Sequence, residues 1–80
     1  MLTDYIRAAM KHATYEKLSD GTYYGEIPQT PGVWSNADTL EGCREELQSV
    51  LEGWILLGLR RGHPLPVIDG IDLTPALGAA

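Results

Sequence analysis

Three carboxylates are the first residues to weigh for chemistry. Glu16, Asp20 and Glu26 surround one Asp20-Gly21 pair, the strongest hairpin signal in the chain. If the flanking segments are strands, Glu16 and Glu26 can face each other across them. Clustered carboxylates hold divalent metal in nucleases. A two-metal site needs several convergent carboxylates, and two on neighbouring strands plus one turn Asp fall short. The pair reads instead as a solvated strand face or as an acidic patch for a basic partner. His12 and His63 have no Cys or Ser nucleophile at an informative spacing. Asp69-Gly70-Ile71-Asp72 lacks the ligand series of a calcium loop and reads as a turn. No glycine motif that cradles phosphate is present. The sequence predicts no catalytic residue, no metal ligand and no cofactor, and hence a binding protein rather than an enzyme.

The kind of partner follows from size and charge. Eighty residues with 44% hydrophobic and 21% charged content make one domain, spanning residues 1–80. A chain this short buries only about 60–65% of its unfolded surface, so oligomerisation is a natural remedy. The net charge is −5 and the six Lys and Arg are scattered, which argues against a nucleic-acid surface and favours a basic protein partner. Cys43 is the single cysteine. It excludes an internal disulfide and suits a reducing, cytoplasmic compartment. Asp4, Arg7 and Lys11 rule out a signal peptide in the opening turns. No apolar run approaches the ~20 residues of a membrane span.

These residues must be positioned by the following elements. Leu2, Ile6, Ala9, Met10 and Ala13 recur at helical spacing, which predicts a short helix over Asp4–Lys11 capped by Thr3 and an N-terminal extension over residues 1–12. Ala13 to Leu18 and Thr22 to Ile27 read as the two strands of a hairpin, with Tyr23, Gly25 and Ile27 on one face and Tyr24 and Glu26 on the other. Gly25 between two large residues would admit a crossing helix. Pro31-Gly32 suits a type II turn before a third strand at Val33 to Asn36. Trp34 there is either core filler or an interface anchor.

Asp38 to Arg61 is the long helix on which the rest packs. Leu40, Cys43, Leu47, Val50, Leu51, Trp54 and Leu57 define its apolar stripe. Asp38 with Glu41 forms a capping box, and Gly62 is the stop. Gly42, Ser49 and Gly53 fall together behind the stripe, as a solvated face or a groove for another backbone. Leu56 and Leu59 lie outside the stripe, so the C-terminal half is apolar nearly all round. Trp54, Leu56 and Leu59 are therefore the expected contacts of a homo-oligomer. Val67 to Leu73 reads as extended, with room for a short edge strand, and Pro75 to Ala80 as frayed. The predicted fold is α+β: a three-stranded antiparallel sheet packed on one long helix. One sheet face, with Tyr24 and Glu26, is left either solvated or as a binding surface, and Glu16, Tyr24, Glu26 and Trp34 are the expected partner contacts.

Asp20-Gly21-x-Tyr23, Ile27-Pro28-x-x-Pro31-Gly32-Val33, Ser35, Thr39-Leu40-Glu41 and Gly62-x-Pro64-Leu65-Pro66 together resemble the HicB-like antitoxin family. The resemblance runs from Tyr15 to about Pro66 and rests on the ordered set rather than on any one motif. It implies a partial RNase H-like fold. It also implies a partner, a small basic RNA-cleaving toxin of the HicA type that the antitoxin binds and blocks. Ala37 replaces the family's glycine before the helix, Gly42 its second Glu and Cys43 the alanine that follows. Many members carry a C-terminal DNA-binding segment. The fourteen residues after Pro66 are too few for one, so no nucleic-acid binding by this chain alone is expected. The alternative is a homo-oligomeric regulatory or scaffold domain without a toxin.

Overall fold

The computed structural model describes residues 1–73. Helix α1 (Leu2–Lys11) leads into strands β1 (Thr14–Lys17), β2 (Tyr23–Glu26) and β3 (Trp34–Ala37), followed by helix α2 (Leu40–Arg61). The strands form an antiparallel meander in the order β1-β2-β3, and α2 packs on one face of it. The α+β architecture is the one expected.

Local chemistry explains each corner. Between β1 and β2 the Gly21 amide donates to the Leu18 carbonyl and the Leu18 amide to Thr22, with Gly21 at φ +88°. That is a three-residue hairpin loop with glycine in the left-handed position. Asp20 accepts from the Thr22 amide at 2.9 Å and its hydroxyl at 2.6 Å. The hydroxyl, then the amide, hold the Asp20 carboxyl below its ordinary range. The Val33 amide donates to Thr30 and Gly32 sits at φ +95°, the expected type II turn. At the end of α2, Gly62 at φ 68° donates to Leu59 while the His63 amide donates to Gly58, a Schellman closure.

The caps differ from expectation. Thr39, not Asp38, caps α2, its hydroxyl accepting from the Gly42 amide at 2.9 Å. β3 runs to Ala37, and two residues are needed to turn the chain, so the cap falls one position later. Gly42 then occupies the site where a capping-box carboxylate would sit. The first turn of α1 has Met1 at the cap position without a side-chain hydrogen bond, and Thr3 lies inside the helix.

The buried side of α2 is also rotated from the predicted stripe. Cys43, Leu47, Leu51, Ile55 and Gly58 are buried, while Leu40, Val50 and Leu57 are exposed. Four-residue steps carry the buried row past Leu57 to Ile55 and Gly58, where Leu65 of the returning chain lies. A Cβ on Gly58 would meet Leu65 Cδ2 at 2.8 Å. Nothing among the described residues lies within 4 Å of a Cβ built at Gly53, so none of their backbone packs against α2 at that position.

The C-terminal segment is packed rather than extended. Ile68 and Leu73 are buried in the core with Tyr5, Ala9 and Leu65. An isolated bridge between Ile68 and Ile71 closes a turn with Asp69 at φ 50° and Gly70 at φ 78°, in place of an edge strand. Two contacts tie this segment to α1: the Tyr5 hydroxyl donates to the Pro66 carbonyl at 2.7 Å, and His12 Nε2 lies 2.7 Å from Asp69 Oδ1. The expected fraying of Pro75 to Ala80 lies outside the described residues.

The α2 cap and the Tyr5 contact can each be tested. Thr39→Ala loses the cap and should lower stability in urea unfolding by about 1 kcal/mol, with a smaller effect for Asp38→Ala. Burial, then the Asp72 charge, raise the Tyr5 phenol pKa. The stability linked to its proton is therefore complete below the unfolded-state value of about 10 and is lost as pH rises through the folded value. Tyr5→Phe should destabilise the protein near neutrality by about 1 kcal/mol and flatten the alkaline fall of its stability curve.

Candidate functional site

Strand register decides which side chains meet. Glu16 pairs with Tyr24 and Tyr24 with Asn36; Thr14 pairs with Glu26 and Glu26 with Trp34. Residues directly opposite share a face, as do residues two apart. Thr14, Glu16, Tyr24, Glu26, Trp34 and Asn36 therefore lie on one face of the sheet. Tyr15, Gly25 and Ser35 lie on the other, under α2. All four residues proposed from sequence as partner contacts are thus brought together. Glu16 and Glu26 share the face but are staggered by one pair rather than opposite each other.

The face has a definite geometry. Tyr24 and Trp34 are diagonal neighbours across β2 and β3, with ring centroids 6.0 Å apart and planes inclined by 24°. Stacked aromatics at this separation attract beyond their area burial. Trp34 is nonetheless 55% exposed, because no element of the described residues covers it. Glu16 and Glu26 are exposed beside the pair, both on its β1 side, and neither forms an ion pair among the described residues. Asn36 donates to the Thr22 hydroxyl and the Tyr23 carbonyl, both at 2.9 Å, bracing β3 against the hairpin. Thr14 and Asn36 were missed from sequence. For Thr14 the signal was the loop length, because a three-residue connection pairs Leu18 with Thr22 and so fixes every pair of β1 with β2; Asn36 depends on the separate β2–β3 register.

The other candidates do not converge. Asp20 is engaged within its own turn. Among the described residues no three His, Cys, Asp or Glu side chains are grouped to hold a metal ion, and no helix is long and apolar enough to cross a membrane. Cys43 is buried beside Ser35, whose hydroxyl donates to the Cys43 carbonyl at 2.8 Å. Leu56 is exposed and lines a groove with Leu59. Trp54 is half-buried against the core, and a helix separates it from Leu56 by about 160°. The three expected oligomer contacts therefore do not form one surface.

A meander backed by one long helix, with no described element covering the opposite sheet face, defines a small α+β domain. The chain belongs to the UPF0150-like family, whose profile matches residues 4–66. The crystal structure of TTHA0281 from Thermus thermophilus is similar, at 43% sequence identity over 89% of each chain with a TM-score of 0.84. Comparison with curated proteins gave no match.

Gly25 holds the site in place from behind. A Cβ there would lie 2.9 Å from Tyr15 Cδ1 and 3.1 Å from Cys43 Sγ. Gly25→Ala should cost about 1–3 kcal/mol in urea unfolding, and should shift the near-ultraviolet signal of the Tyr24–Trp34 pair by displacing β2.

Proposed function

We propose that this protein is an antitoxin of the HicB type, which binds a small basic RNA-cleaving toxin and occupies its active surface. The observation that carries the reading is the uncovered aromatic pair, Tyr24 stacked with Trp34, bordered on its β1 side by the carboxylates Glu16 and Glu26, which have no ion pair among the described residues. An exposed aromatic anchor is the usual centre of binding energy at an interface. Flanking charges of one sign select an oppositely charged partner and speed its approach. The net charge of −5 acts in the same direction at longer range. The ordered turn and cap motifs shared with HicB-like antitoxins agree with this role. On this reading the protein acts by binding, with no chemistry of its own.

The test is co-expression with a basic RNA-cleaving protein encoded beside this gene. A complex should form and RNA cleavage should stop. Trp34→Ala should weaken the complex by about 2 kcal/mol, roughly thirtyfold in Kd. Glu16→Lys with Glu26→Lys should slow association and reduce its sensitivity to salt. A neighbour that neither binds nor is inhibited, or binding indifferent to these changes, refutes the proposal.

A further inference from the structure

Helix α2 has a side that neither the sheet nor α1 covers. Leu56 is 53% exposed there. It lies five residues beyond the buried Leu51, about 140° around the helix and so on the side away from the sheet. Beside it is a shallow groove of about 280 Å³, lined by Leu2, Ile6, Ile55, Leu56 and Leu59 with the single carboxylate of Glu52.

The row through Leu56 is self-complementary. Glu52, Leu56 and Arg60 follow at intervals of four and form one ridge of the helix surface. The ridge reads acid, apolar, base. Among the described residues Glu52 accepts from the Gln48 amide, at 3.2 Å, and neither Glu52 nor Arg60 has an ion pair. When two such ridges meet antiparallel about a twofold axis at Leu56, Leu56 meets Leu56. Glu52 of each copy then lies opposite Arg60 of the other, twice. A twofold interface requires this kind of match of a patch with itself.

We propose that the Leu56 face of α2 and its groove are the docking site for a second copy of this chain. The resulting order is sheet, α2, α2, sheet. Both aromatic–acidic faces then point outward, and each dimer presents two partner surfaces. The proposal does not depend on what those surfaces bind.

Charge exchange tests it. Sedimentation equilibrium of the full chain at micromolar concentrations should give a dimer. Glu52→Arg and Arg60→Glu should each weaken dimerisation roughly tenfold or more, since each places like charges opposite one another. Glu52→Arg combined with Arg60→Glu should restore it. Leu56→Glu should give a monomer, whereas Leu57→Glu, an equally exposed leucine on another flank, should not. All four positions are exposed, and circular dichroism checks that each variant folds. A monomeric wild type, a double variant no better than the single ones, or a dimer broken at Leu57 but not at Leu56 overturns the proposal.

Discussion

The structure depends on how closely α2 lies on the backbone of β2. A Cβ on Gly25 would lie 2.9 Å from the Tyr15 ring and 3.1 Å from the Cys43 sulfur, so the glycine lets both that ring and α2 approach β2 closely. The neighbouring inward positions on β3 are small as well. Ser35 is buried and bonds to the Cys43 carbonyl and thiol, and Ala37 is half-buried. On β3 the inward positions are small, and Trp34 together with Tyr24 of β2 carries the aromatic bulk on the outer face. Close helix packing and an exposed aromatic pair are two results of one pattern.

The other half of the core depends on the two ends of the described chain. Leu51 and Ile55 share one core cluster with Ala8 and Ala9 of α1 and with Leu65 and Ile68. Deleting a large apolar group from such a site costs about 2–5 kcal/mol. In a small domain that is a substantial part of the total. The Tyr5–Pro66 and His12–Asp69 contacts bring α1 and the C-terminal segment together over α2. The family profile spans residues 4–66, so α1 is part of the shared fold rather than an appendage.

Much of this was legible in the sequence where one residue type has one physical use. Asp20-Gly21, Pro31-Gly32 and Gly62 marked their turns because positive φ is open chiefly to glycine. The alternation of Tyr23, Tyr24, Gly25 and Glu26 placed Tyr24 and Glu26 on the outer face. The rest was set by competition between near-equal choices. Asp38 and Thr39 are both good caps, and the length of β3 decided between them. Trp54 to Leu57 are all apolar, so the period could not tell Ile55 from Leu57 as the buried one until Leu65 was placed against Gly58. Val67 to Leu73 carries no periodic signal, and its burial depends on a helix some sixty residues earlier.

The central claim is that the bare sheet face is the partner surface. Its most direct measurement is an amide and indole nuclear magnetic resonance titration of the labelled protein with the neighbouring basic protein. The account predicts that the largest shifts fall on Thr14 to Lys17, Tyr23 to Glu26 and Trp34 to Ala37, with the Trp34 indole among the first to move. Shifts confined to α1 and the outer side of α2, with the Trp34 indole unmoved, would contradict it.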